Sequence, residues 1–97
     1  MIAFLRGNKV SLDEGVIIVD VNGVGYELHV TAFSLDAFRA ASEIRAWVFT
    51  SVKEDSIQLF GFSTRTEKDT FIQLLKVNGV GPKMALTILS TLRPEQL

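Results

Sequence analysis

The hydrophobic period of the chain changes once. Up to about residue 62 apolar positions come in short runs or alternate with polar ones, and beyond it they recur at helical spacing. Residues 16–21 are β-branched except Asp20, and residues 24–30 place Val24, Tyr26, Leu28 and Val30 on one face against Glu27 and His29 on the other. Asn22-Gly23 lies between these runs. A type I′ turn needs positive φ at both central positions, so this dipeptide predicts a tight hairpin. Residues 2–10 predict an opening strand, 34–41 a short helix, and 45–52 with 56–62 a second hairpin whose tip carries Lys53, Glu54 and Asp55. Five short strands broken by one small helix suit a closed or partly open Greek-key barrel such as the OB-fold, and an SH3-like barrel fits the pattern almost as well.

Past Gly61, Thr64 or Thr66 can cap a helix running to about residue 76, with Glu67 and Asp69 in its first turn, where the helix dipole favours carboxylates. Phe71, Ile72, Leu74 and Leu75 give it an apolar face. Pro82 opens a second helix, since its missing N–H is no loss at a first position, and Ala85, Ile88, Leu89 and Leu92 line the buried side. Arg93-Pro94-Glu95-Gln96-Leu97 reads as the first turn of a third helix. One turn is not stable alone, so the chain is expected to be a piece of a longer protein.

Composition narrows the function. The 97 residues hold one compact domain, or a small barrel with a helical appendage. Hydrophobic residues make up 47%, but the longest apolar run is far too short to cross a bilayer, and the N-terminus lacks the features of a signal peptide. A cytoplasmic protein with no membrane partner is expected. The absence of cysteine removes disulfides, zinc knuckles and thiol catalysis together. Net charge is −1, which excludes nucleic-acid binding by bulk charge, so any DNA contact must be local and geometric.

One element meets that requirement. Asn78-Gly79-Val80-Gly81-Pro82-Lys83 turns tightly and then opens a helix, and its two glycines permit left-handed φ and close approach of another backbone. Amides of the turn and of the first helical residues then lack intrahelical partners, and the helix N-terminus adds partial positive charge, which suits an anionic oxygen. Lys83 is unfavourable for the helix dipole there and makes more sense as a second phosphate ligand. Val80 reads as a plug between the two helices. A glycine-rich turn by itself serves any helical hairpin. The apolar helix, Gly-apolar-Gly, Ala85 and the Ile88-Leu89 pair together resemble the helix-hairpin-helix motif of non-sequence-specific DNA-binding proteins. No Gly-Lys-Ser or Gly-Lys-Thr follows, so this is not a nucleotide loop. Asn-Gly-Val-Gly also occurs at 22–25, where it joins strands, a coincidence of turn chemistry rather than a repeat. The fold class expected is mainly β with α: a five-stranded OB-fold barrel over residues 1–62, followed by a helix-hairpin-helix over 63–97.

No nucleophile–base pair or metal-ligand cluster stands out, so catalytic residues, metals and cofactors are not expected. His29 has no second ligand beside it and reads as a surface residue. Trp47 and Tyr26 alternate with apolar neighbours and read as core rather than as base-stacking platforms.

Four segments carry a closer likeness: Met1-Ile2-Ala3-Phe4-Leu5-Arg6-Gly7, Asn22-Gly23-Val24-Gly25-Tyr26-Glu27, Lys53-Glu54-Asp55 with Leu59-Phe60-Gly61-Phe62, and Val77-Asn78-Gly79-Val80-Gly81-Pro82-Lys83. In this order and spacing they resemble the RuvA family, the Holliday junction recognition subunit of the bacterial branch-migration complex. The likeness covers essentially the whole chain. It implies an OB-fold, two helix-hairpin-helix motifs and, after a flexible linker, a small domain that binds the RuvB motor. It further implies a homotetramer with one subunit per arm of a four-way DNA junction, acting without ATP in recombination, repair and the SOS response as the accessory subunit of a helicase complex. Glu54 and Asp55 would form an acidic pin at the tetramer centre. This sequence departs by ending after the first hairpin motif, and by Ala3 and Phe4 where glycine and a basic residue are more usual. Two rival readings remain open: an oligomerisation or adaptor module, and an ordinary single-stranded-DNA-binding OB protein.

Overall fold

A computed structural model describes residues 1–91. The order is β1 (Phe4–Asp13), β2 (Val16–Val21), β3 (Val24–Val30), α1 (Ala32–Arg39), β4 (Glu43–Lys53), β5 (Ser56–Phe62), α2 (Arg65–Leu75) and α3 (Pro82–Thr91). The expected start of a third helix at Arg93, and Leu92 of the second, lie outside the described residues.

The strands close into one barrel in the order β1-β2-β3-β5-β4, with β4 returning to β1. All neighbours are antiparallel except β3 and β5, which run parallel through Leu28–Leu59, His29–Phe60 and Val30–Gly61. This closure, with α1 between β3 and β4, is consistent with an OB-fold. The β2–β3 hairpin forms where expected: Asn22 has φ 52° and Gly23 φ 89°, as a type I′ turn requires. β1 continues to Asp13, beyond the expected end at residue 10, because its register shifts between Lys9 and Ser11. The extra residue, Val10, is exposed, and the shift returns Leu12 to the barrel side.

Inward-facing Leu5, Ile17, Val19, Leu28, Val30, Ile44, Ala46, Val48 and Leu59 fill the barrel. Phe38 of α1 joins them, and Thr31 caps that helix by accepting the Ser34 N–H. From Leu59 onward β5 is buried on both faces. Leu59 and Gly61 face the interior, where a Cβ on Gly61 would lie 2.8 Å from Leu28 Cδ1. Phe60 and Phe62 face outward into a second core with Phe71 of α2 and Ala85 and Leu89 of α3. Phe71 is its hub, with ring centroids 4.9 Å from Phe62, 5.4 Å from Phe60 and 5.4 Å from Phe49. This aromatic layer fixes the helix pair to the barrel wall.

Candidate nucleic-acid interface

Thr64 caps α2 by accepting the Glu67 N–H at 3.1 Å, which selects Thr64 over Thr66. The helix ends at Leu75, and Lys76 and Val77 donate their amides back to α2 carbonyls. A turn follows, closed by Val80 N–H to the Val77 carbonyl at 3.1 Å. Gly79 holds φ +84°, a left-handed conformation that disfavours any side chain. Val80 is half-buried against the second core, between the helices as a plug would be.

Gly81 departs from expectation. It does not have positive φ, so the turn needs left-handed backbone only at Gly79. A Cβ built on Gly81 meets nothing within 4 Å among the described residues, so neither conformation nor packing against them requires glycine there. Its carbonyl accepts the Ala85 N–H at 2.9 Å, making it the residue before the first turn of α3. Pro82 has no N–H, and the amides of Gly79, Gly81, Lys83 and Met84 find no acceptor among the described residues. Met84, outside the 78–83 segment singled out from the sequence, joins this row because the first four amides of any helix are orphans. Lys83 and Asn78 are exposed beside this row. Unpartnered amides, partial positive charge at a helix start, an adjacent ammonium and a bare Cα are the chemistry that suits close approach of an anionic oxygen.

Glu54 and Asp55 form the two-residue tip of the β4–β5 hairpin, both exposed. Neither makes an ion pair among the described residues, and no hydrogen bond joins the tip to the turn at 78–83. Among the described residues, neither a hydrogen bond nor an ion pair links the two candidate sites. Tyr26 packs on the barrel core and Trp47 on the second core, and His29 is half-buried, its ring 5.4 Å from Phe60 rather than free at the surface.

Glu67, an ordinary first-turn carboxylate by its place in the sequence, is wholly buried. Its Oε2 accepts from the Thr31 hydroxyl at 2.7 Å, and its Oε1 accepts from the Ser34 hydroxyl. Ser34 Oγ in turn accepts the Ser63 N–H at 2.8 Å. One carboxylate thus ties the start of α1 to the start of α2. Burial raises its pKa above the ordinary value of 4.5, against the lowering effect of the Ser34 and Thr31 hydrogen bonds. Thr64-x-x-Glu67 signals a capping box, but that signal points to the helix's own backbone and not to α1.

Fold and surface together define a small OB-type barrel protein carrying a helix pair joined by a glycine-containing turn with unpartnered amides. The chain belongs to the RuvA N-terminal domain family, whose model matches residues 1–61. It is similar along its whole length to three proteins called Holliday junction branch migration complex subunit RuvA. That of Bdellovibrio bacteriovorus is 48% identical over 99 residues, half of its own length. Those of Bifidobacterium adolescentis and Acinetobacter baumannii are each 45% identical over 97 residues, 47% and 49% of theirs. The chain spans about half the length of these relatives. No helix among the described residues is long and apolar enough to cross a membrane, and none of those residues form a cluster of three or more metal-ligating side chains.

Proposed function

We propose that this chain binds four-way DNA junctions as the recognition subunit of a branch-migration complex in homologous recombination and repair. The barrel over residues 1–62 would assemble as a homotetramer, one subunit per arm. The α2–α3 unit, beginning at residue 63, would act as a helix-hairpin-helix that grips duplex phosphates through Gly79, Gly81, Lys83 and neighbouring amides. ATP hydrolysis would belong to a separate RuvB-type motor, and this subunit would have no catalytic role. The names of the relatives support the substrate class.

The observation that carries the reading is Gly81, a glycine that neither its backbone conformation nor any described neighbour requires, set in a row of amides without acceptors among the described residues. An external ligand that must approach the backbone explains both. Gly81→Ala tests it. The added methyl group fits the free protein and costs only about 0.5–1 kcal/mol at a position before a helix, so the fold is kept. Junction affinity should fall about tenfold or more as phosphate is held off the amides. Unchanged affinity in a folded Gly81→Ala protein would overturn the mechanism. An adaptor module whose hairpin binds protein would show binding insensitive to salt, whereas phosphate binding weakens steeply as salt rises.

A further inference from the structure

The outer face of the β1–β4 ladder carries side chains that the barrel does not require. Phe4 lies opposite Trp47 and Arg6 opposite Arg45 across the antiparallel pair, while the intervening Leu5 and Ala46 point into the core. The four outward residues form a compact block, about 7 Å along each strand and about 5 Å across. Two arginines directly opposite one another weaken a sheet. Arg45 is partly offset by Glu43, whose Oε1 lies 3.3 Å from its Nε, but Arg6 has no ion-pair partner among the described residues.

Helix α2 adds to the same face. The Arg65 guanidinium carbon lies 5.6 Å from the centroid of the Trp47 ring, and Lys68 Nζ reaches the Ala3 carbonyl at 3.4 Å. Phe4 packs edge-on to Trp47, centroids 5.1 Å apart at 67°, and remains 43% exposed. Four cations therefore surround two rings. The carboxylates nearby are Glu43, Asp69 at 4.0 Å from Arg65, and Asp20, whose Oδ1 already accepts the Gly23 N–H at 2.7 Å. In a chain of net charge −1 this is a local excess of positive charge.

We propose that this face holds unpaired DNA, with phosphates on Arg6 and Arg45 and a base stacked on Phe4. Guanidinium groups suit phosphate geometry, and a part-exposed ring among them offers a stacking surface to any base that is not paired. The surface lies on strands other than β2 and β3, which carry the usual ligand face of such barrels. It shares no residue with the turn at 78–83, so it stands or falls independently of the junction reading.

Trp47 is the only tryptophan of the chain, so its fluorescence reports on this face directly. An oligothymidine titrated into the whole chain should change that emission saturably. The apparent affinity should fall with salt at a log–log slope of about −1.4, as expected for the two phosphate contacts at Arg6 and Arg45 on a single strand. The double variant Arg6→Ser, Arg45→Thr should stay folded, because both side chains are exposed, and should bind oligothymidine at least about tenfold more weakly. Phe4→Leu keeps an apolar contact for Trp47 and both arginines. It should weaken binding while leaving the salt slope unchanged. Gly81→Ala should leave oligothymidine binding intact while weakening junction binding. An unchanged Trp47 signal, or binding that survives the double arginine change, would overturn the proposal. So would stronger competition by blunt duplex than by oligothymidine.

Discussion

Replacing Glu67 by alanine removes the acceptor of two hydroxyl groups in a fully buried site. Thr31 Oγ1 loses its only carboxylate contact, at 2.7 Å, while Ser34 keeps a weaker neighbour in Ser63 Oγ at 3.2 Å. A buried donor left unmatched costs about 1–3 kcal/mol. The upper part of that range for Thr31, the lower part for Ser34 and a small cavity together predict a loss of about 3–4 kcal/mol. In a domain of this size that lowers Tm by roughly 15 °C. Glu67→Gln keeps the shape and one acceptor oxygen, and its effect depends on pH. Because burial raises the folded-state pKa above 4.5, the folded protein holds this proton more tightly than the unfolded chain. The contribution of Glu67 is therefore greatest in acid and declines as pH rises from about 4.5 through the raised folded value. Above that value, wild type buries a charge that the glutamine variant does not. The stability difference between wild type and Glu67→Gln should thus shrink with rising pH, as measured by denaturant unfolding followed by circular dichroism across a pH series. A pH-independent difference, or a loss below about 1 kcal/mol for Glu67→Ala, would refute this account of the network.

Gly7→Ala should destabilise the barrel by about 3 kcal/mol or more, since the new Cβ would lie 2.3 Å from the Asp20 carbonyl oxygen and 2.9 Å from two valine methyl groups; thermal unfolding checks it. Lys83→Ala should leave Tm almost unchanged and weaken junction binding about fivefold, the loss of one charge-assisted contact worth about 1 kcal/mol, measurable by titration. The pair Glu54→Gln, Asp55→Asn should strengthen DNA binding and reduce preference for four-way over linear DNA. A carboxylate about 7 Å from a phosphate is repelled by roughly 0.6 kcal/mol in water, and more where water is excluded. Unchanged affinity for both DNAs in a tetrameric sample would remove the pin from the mechanism.

Local chemistry is what the sequence by itself determined. Asn22-Gly23 specified its hairpin because few residues tolerate positive φ, Thr64 specified a helix start because a hydroxyl can accept an orphan amide, and Pro82 with its preceding glycine marked the next helix. The alternation in β3 and the apolar runs of β2 and β5 were readable for the same reason: side chains within a few residues report the period of their own backbone. The turn at 78–83 could be singled out as a candidate from residue type and spacing, whereas the tip at 54–55 stood out only through the family resemblance, since a charged hairpin tip is ordinarily just solvated. Only the tertiary structure decided the rest. The parallel β3–β5 closure, which favours an OB-type barrel over the SH3-like alternative, joins residues whose pairing no local signal encodes. Glu67 carries an ordinary capping signal, yet its burial depends on Thr31 and Ser34, more than thirty residues earlier. Arg6 faces Arg45 only because β1 and β4 complete the barrel. Gly81 looked like its neighbour Gly79, and the fold separated them: one glycine is required by its φ, while the other leaves its backbone bare where no described residue packs against it.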